Sequence, residues 1–203
     1  MNPPMIVLLT DFGTTDWFVG SMKAAIYSRA ADAIVVDFCH GIEPGEVASA
    51  AWLLARTSRE FPEGAVFCAV VDPGVGTERR PIAARADGHF FIAPDNGLLT
   101  GVRDNARQWE CRIVTNADWV RHSPSRTFHG RDIFSPAAAH AALEGGIESA
   151  GETIDDPVTV RVPETTIRDE DGSIDGEIVH FDHFGNAITS IELRVVEKTG
   201  PAA

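Results

Sequence analysis

The sequence of 203 residues has little of what several classes of protein require. Its three cysteines, Cys39, Cys68 and Cys111, are odd in number, lie in apolar runs and show no zinc-ligand spacing. We therefore expect buried free thiols in a reducing, cytoplasmic compartment. Lysine and arginine number only 17 against 30 aspartates and glutamates, a formal charge of −13. This deficit of cations argues against nucleic-acid and anionic-membrane partners and is compatible with a cationic or zwitterionic small substrate.

Long apolar runs are also missing from the sequence. No segment approaches the length of a membrane span. Residues 1–12, MNPPMIVLLTDF, have no basic region, and their apolar stretch ends at Asp11. We therefore expect a first β-strand here rather than a signal peptide.

The first two thirds of the chain alternate between strand and helix patterns. Apolar runs predict strands at Met5–Thr10, Ala33–Phe38, Ala65–Val71, Pro81–Ala84, His89–Ala93 and Glu110–Thr115. Helical spacing predicts helices at Asp16–Arg29, Gly45–Phe61 and Asp132–Leu143. Strands with few polar residues between helices predict an α/β fold, in which helices flank both faces of a mostly parallel sheet.

The composition changes near residue 151. From Gly151 to Gly176, eight carboxylates face only two arginines, which predicts a solvated connector with a short strand at Val158–Val162. Further strands are expected at Glu177–Phe181 and Ala187–Leu193. The predicted organisation is an N-terminal α/β domain at 1–150, an acidic connector at 151–176 and a partial C-terminal β domain at 177–203, which is too short for an independent core.

Polar residues follow several of the predicted strands, where parallel α/β sheets bind their ligands. Asp11 follows the first strand, Asp72 follows the third, and Asn96 stands in a turn after a later one. Residues 127–132, TFHGRD, precede the alanine-rich helix. A single aspartate before glycine is usually a turn or cap residue, but four polar strand ends in one sheet favour a shared crevice, with Asn96 as a supporting partner.

Each of these residues also has a plainer interpretation. Asp11 can cap the first helix, and one of Arg79 and Arg80 can be a solvated surface charge. His129 can be a core histidine with its own hydrogen bonds. A metal site at His129 and Asp132 is disfavoured because no second histidine lies at ligand spacing, and the missing G-x-G-x-x-G motif disfavours NAD. We predict neither a metal nor a cofactor.

Five motifs taken together point to one family. They are, in order, VLLTDFGTTDWFVGSMKAAI, VVDPGVGTERRPI, FIAPDNGLLT, TFHGRDIFSPAAAHAA and HFDHFGNAITSI. They resemble the S-adenosylmethionine hydroxide adenosyltransferases, the adenosine-forming S-adenosylmethionine hydrolases, whose halide-using relatives are fluorinase and chlorinase. The resemblance covers residues 5–192 and implies a larger α/β domain, a smaller C-terminal β-barrel domain and a homotrimer with active sites between subunits. Because family members continue through further barrel strands, we expect an incomplete barrel in this chain.

The resemblance also implies a reaction and a catalytic set. The reaction is hydrolysis of S-adenosyl-L-methionine to adenosine and L-methionine, by attack of water or hydroxide at ribose C5′. The catalytic residues implied are Asp72, Arg79 and His129. In this scheme Asp72 or His129 accepts or relays the proton of the attacking water, while Arg79 holds the carboxylate.

The resemblance further implies substrate-binding residues in two motifs. Asp11 is placed on the ribose hydroxyls, and the motif DHFGN contributes Asp182 and Asn186 at the methionine end or at the ribose–adenine junction, with Phe184 near adenine. A plain hairpin turn is the alternative for this motif. Two other functions stay open: a halide-using adenosyltransferase and a non-catalytic module that binds adenosine or S-adenosylmethionine.

Overall fold

The computed structural model describes residues 3–168, 173–192 and 195–196. The chain divides into two compact units, residues 1–160 and 161–203. Residues 169–172 of the predicted connector and Leu193, the predicted end of the last strand, lie outside the described residues. The predicted three-part division into residues 1–150, 151–176 and 177–203 stays a prediction. In the described part of the chain, no helix has the length and apolarity needed to cross a membrane.

The first unit is built on a six-stranded sheet. Its strands are β1 (Met5–Thr10), β2 (Ile34–Cys39), β3 (Val66–Val70), β4 (Pro81–Ala86), β5 (His89–Pro94) and β6 (Trp109–Ile113). They lie in the order β2-β1-β3-β5-β4-β6. Neighbours among β2, β1, β3 and β5 are parallel, and β4 is antiparallel to both β5 and β6. The predicted mostly parallel sheet and the predicted hairpin are confirmed.

Helices cover both faces of this sheet, as predicted. They are α1 (Phe18–Tyr27), α2 (Val47–Thr57), α3 (Thr100–Asn105) and α4 (Ser135–Glu144). Because side chains alternate along a strand, Ile6 and Leu8 pack in the core with α1 and α4, whereas Val7 and Leu9 pack with α2 and α3. Helix α3 was not predicted, since six residues that include glycine, arginine, aspartate and asparagine carry no clear helical period.

The start of the alanine-rich helix differs from the prediction. A π-helix at Gly130–Phe134 precedes α4, and the backbone N–H of Ser135 donates to the carbonyl of Gly130, five residues earlier. A Cβ atom at position 130 would lie 3.2 Å from Cε2 of Phe12 and 3.3 Å from the sulfur of Met22. The glycine thus permits close packing where the helix widens, and such π-turns are frequent at functional sites.

The second unit contains two short antiparallel pairs. Strand β7 (Thr166–Ile167) pairs with β8 (Ile174–Asp175), and β9 (Ile178–Phe181) pairs with β10 (Ala187–Thr189). The last two confirm the predicted strands in shortened form.

The strand predicted at Val158–Val162 is wrong. The backbone N–H groups of Val158 and Val160 donate to Oδ1 of Asp95, at 2.8 Å, and to Oγ1 of Thr100, at 3.1 Å. These N–H groups donate to side chains rather than to the carbonyls of a neighbouring strand. The segment therefore forms no β-ladder, although it contains β-branched residues.

Candidate active site

The predicted site residues of the first unit lie around one edge of the sheet. Asp11 directly follows β1, Asp72 lies two residues after β3, and His129 directly precedes the π-helix. Strands β1 and β3 are parallel neighbours, and Thr10 pairs with Val70 at their carboxyl ends. The loops that carry the two aspartates therefore start side by side, where ligands bind in such sheets.

Asp72, Arg79 and His129 form one contiguous group. The side chains of Asp72 and Arg79 are 4% and 9% exposed. Nε of Arg79 lies 3.0 Å from each oxygen of Asp72, and its Nη2 donates to Oδ2 of Asp72. The same Nη2 lies 2.7 Å from Nδ1 of His129. The guanidinium thus bridges the carboxylate and the imidazole. This contact explains why an aspartate and an arginine flank the glycine-rich turn.

Phe134 supports this arginine. The Cζ atom of Arg79 lies 4.9 Å from the centre of the Phe134 ring, a cation–π distance, and Phe134 is fully buried. The sequence did not reveal this contact, because regular helical spacing after His129 favours residues three and four positions later, whereas the wide π-turn brings in the fifth.

The hydrogen bond from Arg79 determines which nitrogen of His129 carries the proton. A guanidinium can only donate, so Nδ1 of His129 accepts and the neutral ring carries its proton on Nε2. Burial lowers the pKa of His129, and the charge of Arg79 lowers it further, while Asp72, Asp132 and a backbone hydrogen bond at Ser125 oppose this shift. The ring is therefore neutral at pH 7.

Asp11 belongs to the same site and does not cap α1. That helix begins at Phe18 without a side-chain cap, and Oδ2 of Asp11 accepts instead from the backbone N–H of Gly45, at 2.9 Å. Burial raises the pKa of Asp11, the Gly45 bond opposes this, and the nearby charge of Asp72 adds to the rise. Gly45, which was predicted to begin a helix, precedes α2 with φ +80° and supplies a backbone donor.

A buried hydrogen-bond chain holds the loop of Asp11 in place. Oγ1 of Thr10 lies 2.8 Å from Nδ1 of His40, whose Nε2 lies 3.0 Å from Oδ1 of Asp37. The backbone N–H of Phe12 donates to Oγ1 of Thr10 at 3.2 Å, and that of Gly13 donates to the carbonyl of His40 at 2.8 Å. The sequence did not identify His40 as a site residue. Its only signal was its position shortly after the second predicted strand.

The residues next to the catalytic candidates form supporting contacts. Nε of Arg80 donates to Oδ2 of Asp95 at 2.7 Å, and the side chain is only 30% exposed. Arg79 is buried, and Arg80 also pairs with Asp156, whose side chain is 77% exposed, so both arginines are ion-paired and Arg80 is the one at the surface. Nδ2 of Asn96 donates to the carbonyl of Val71 at 2.8 Å and so holds the backbone directly before Asp72.

Asp132 serves as an anchor for arginines. Its Oδ1 accepts from Arg131 at 2.7 Å and from Arg121 at 2.9 Å, and its Oδ2 accepts from the backbone N–H of Ser125 at 2.9 Å. The hydrogen bond from Arg131, with those from Ser125 and Arg121, holds the pKa of Asp132 well below its usual range against the effect of burial. Within residues 3–168, 173–192 and 195–196, no three His, Cys, Asp or Glu side chains are grouped to hold a metal ion.

The remaining predicted residues share one turn of the second unit. Asp182 accepts from the backbone N–H groups of Phe184, at 2.9 Å, and Asn186, at 2.8 Å, and from Nδ2 of Asn186 at 2.7 Å. These bonds, first of all that of the Asn186 side chain, lower the pKa of Asp182. The turn joins β9 and β10 and leaves Phe184 79% exposed. Its role in substrate binding stays a prediction.

The chain is similar to known proteins of one family. The profile of the SAM hydroxide adenosyltransferase N-terminal domain matches residues 6–151. The chain is 39% identical over 186 residues to a protein of Salinispora arenicola named (R)-S-adenosyl-L-methionine hydrolase, covering 91% of this chain and 71% of that protein. It is 33% identical over 223 residues to a fluorinase of Actinopolyspora mzabensis, with 97% and 74% covered. The crystal structure of an uncharacterized conserved protein from Thermotoga maritima is similar to this one with a TM-score of 0.91 and 36% identity, covering 98% of this chain and 75% of that chain. The chain belongs to the SAM hydroxide adenosyltransferase family.

Proposed function

We propose that this protein is an enzyme that hydrolyses S-adenosyl-L-methionine to adenosine and L-methionine. The observation that carries the proposal is the contact of Asp72, Arg79 and His129 at the carboxyl edge of the sheet, in a chain that is 39% identical to a named hydrolase of this substrate. The oxygen of a water molecule forms a bond to ribose C5′. The C5′–S bond breaks, its electron pair stays on the methionine sulfur, and the water gives up one proton.

The chemistry requires a positioned nucleophile more than an acid. A sulfonium leaves as a neutral thioether, so neither a general acid nor a metal ion is needed to expel it. A water molecule held in line with the C5′–S bond gains from orientation, and a base that takes its proton adds to the rate. Asp72, whose side chain is only 4% exposed, supplies such a base.

We assign the proton to Asp72 rather than to His129. The Nδ1 lone pair of His129 is already used by Arg79, a donor that does not lose its proton in proteins. The other nitrogen of the neutral ring is an N–H group, which donates and cannot take up a proton. Among the residues that the structure describes, Oδ1 of Asp72 accepts only from Nε of Arg79 and keeps a lone pair, so Asp72 accepts the proton on this oxygen while Arg79 holds the carboxylate in place.

Asp11 is proposed to bind the ribose hydroxyls. Its carboxylate is held by Gly45 and lies close enough to Asp72 for the two charges to interact. Two carboxylates near the reacting carbon also attract the positive sulfonium. Asp182 and Asn186 are proposed to bind the substrate at its methionine end or at the ribose–adenine junction, and Phe184 is proposed to lie near adenine.

We further propose a homotrimer in the cytoplasm. The family resemblance supports the trimer, and so do large apolar side chains of the second unit, Ile178, Phe181 and Phe184, which are 57%, 61% and 79% exposed. The free and buried Cys68 and Cys111 support a reducing compartment. Sedimentation equilibrium of the full chain tests the assembly, and a monomer at micromolar concentration would contradict it.

A halide-using reaction is the second candidate, because a fluorinase is among the relatives. The site disfavours it. A halide ion attacking C5′ must come close to the carboxylate of Asp72, which repels an anion and offers a proton acceptor that a halide does not need. Water has a proton to give to this carboxylate, so the same residue favours hydrolysis.

One experiment separates the candidates. The full chain is incubated with S-adenosylmethionine in H₂¹⁸O, with and without chloride or fluoride, and the products are identified by mass spectrometry. We expect equimolar adenosine and methionine, with ¹⁸O in the 5′-hydroxyl of adenosine. A 5′-halo-5′-deoxyadenosine without adenosine would establish the halide reaction. Tight binding in calorimetry without release of methionine over hours would establish a binding module.

A further inference from the structure

The first unit also contains a cavity that Asp72, Arg79 and His129 do not line. It is a cavity of about 260 Å³ that opens to solvent between α1 and the start of α4. Three arginines line it, together with small residues. The lining residues are Ser21, Ala24, Ala25, Ser28, Arg29, Arg121, Arg131 and Pro136. We call this cavity the arginine pocket.

The charge of the arginine pocket is opposite to that of the chain. Acidic residues outnumber basic ones 30 to 17, yet three of the 17 cations line this cavity and none of its lining residues is acidic. The carboxylates that act on these arginines are Asp132, which is 1% exposed and pairs with Arg121 and Arg131, and Asp118, whose charge acts on Arg29. Three guanidinium groups thus face two carboxylates, and the balance is positive.

Hydrogen bonds to other residues of the chain use only part of the donor capacity of the three arginines. Arg29 donates through Nη1 and Nη2 to the carbonyls of Asp118 and Val120. Arg121 donates through Nη1 to Asp132, at 2.9 Å, and among the described residues its Nε and Nη2 have no acceptor. Burial lowers the pKa of Arg29, and the positive charge of Arg121 lowers it further while Asp118 opposes this. Two cations therefore repel one another across the pocket.

An anion placed between these side chains would remove that repulsion. The planar guanidinium presents paired N–H donors that match the two oxygens of a carboxylate or phosphate group. Alanine and serine side chains along α1 leave room for the ligand, and the hydroxyl of Ser21 adds a donor. A volume of about 260 Å³ suits a molecule smaller than the drug-sized ligands of larger pockets.

We propose that the arginine pocket binds a small molecule carrying a carboxylate or phosphate group. The proposal does not depend on the reaction proposed above, since neither Asp72 nor His129 lines the pocket. A phosphate ester and a dicarboxylate share the oxyanion chemistry that the pocket recognises. Inorganic phosphate and malonate are therefore the probes that distinguish the two sources.

The test is a titration of the full chain with each probe, followed by thermal unfolding and calorimetry, against sodium chloride at equal ionic strength. We expect saturable stabilisation by phosphate, by malonate or by both, and the stronger probe identifies the class of ligand. The variant Arg121→Gln should bind at least tenfold more weakly. Arg107→Gln, which removes an exposed arginine that does not line the pocket, is the matched control and should bind as the wild type does.

A second variant does not disturb the arginines. Ala24 is exposed on α1, and Ala24→Glu adds a carboxylate to the pocket wall while every hydrogen bond of Arg29, Arg121 and Arg131 stays possible. We expect it to fold and to lose the stabilisation by phosphate and malonate. Equal stabilisation by chloride at the same ionic strength, or unchanged binding by Ala24→Glu and Arg121→Gln, would overturn the proposal.

Discussion

Replacement of Asp72 by asparagine tests the catalytic site most directly. The Asp72→Asn variant keeps the shape of the side chain but removes its negative charge and turns one acceptor into a donor. In the structure both oxygens of Asp72 accept from Arg79, so one N–H of Arg79 then faces an amide N–H. The variant therefore removes the proposed proton acceptor and also leaves the Arg79 cation without its ion pair.

The expected magnitudes follow from the burial of this pair. Loss of the acid–base group is expected to slow the chemical step by roughly 10²–10⁴-fold. Because Asp72 and Arg79 are 4% and 9% exposed, breaking the pair also costs stability. Removing one partner of a buried ion pair costs about 3–5 kcal/mol, and the amide oxygen still accepts one hydrogen bond, so we expect the lower end. For a chain of this size that is a decrease in Tm of roughly 6–12 °C.

The matched control is Asp95→Asn. Asp95 is also a buried carboxylate just after a strand, and it accepts from Arg80 at 2.7 Å and from the backbone of Val158 at 2.8 Å. This variant should lower Tm by a similar amount while single-turnover hydrolysis of S-adenosylmethionine, measured well below both transitions, stays close to the wild-type rate. A wild-type single-turnover rate for Asp72→Asn, or an equal loss of rate in both variants, would refute the catalytic role of Asp72.

Four further predictions concern substrate binding, pH dependence and stability. Asp11→Asn should weaken binding of S-adenosylmethionine by roughly 10–100-fold, the loss of a charge-assisted hydrogen bond, and slow the single-turnover rate less; an unchanged Kd in calorimetry would contradict the ribose assignment. In the proposed mechanism His129 acts in its neutral form, and burial and Arg79 lower its pKa from the usual 6.5; kcat/KM should therefore be level at neutral pH and fall only as the pH drops through a midpoint below 6.5, and a fall that begins above pH 7 would contradict this role. His40→Gln should raise KM by about 2–10-fold, the effect of one lost hydrogen bond, with kcat almost unchanged; a fall in kcat alone would exclude its role in placing the Asp11 loop. Gly76→Ala should lower the free energy of unfolding by about 1–3 kcal/mol, measured by urea denaturation, because Gly76 has φ +80° and a Cβ there would lie 2.5 Å from the carbonyl oxygen of Arg126.

The fold of the first unit could be predicted because it depends on local patterns. Strand β1 has the predicted bounds, Met5–Thr10, and β3 and β5 lie within a residue or so of theirs. A strand buried on both faces must be apolar along its whole length. A run of consecutive apolar residues therefore predicts such a strand directly. The same patterns placed Asp11 and Asp72 at carboxyl ends of neighbouring strands.

The segment at Val158–Val162 and the start of α4 were less predictable from local patterns. The strand expected at Val158–Val162 is absent because Asp95 and Thr100, about 60 residues earlier, satisfy its backbone. The π-helix before α4 depends on the close packing of Gly130 against Phe12 and Met22. All four of these contact residues lie far along the chain from the segment they hold, so a pattern read over ten residues does not show them.

The sequence by itself determined which chemical groups the site contains, because the motifs around Asp72, Arg79 and His129 are distinctive and the order of strands and helices places them at one edge. Only the tertiary structure decided how these groups contact one another. It showed that Arg79 occupies Nδ1 of His129, that Gly45 holds Asp11, and that Arg80 pairs with Asp95. The physical reason is that a proton acceptor is defined by the hydrogen bonds that neighbouring groups leave unused, and residues distant in sequence become neighbours only when the chain folds.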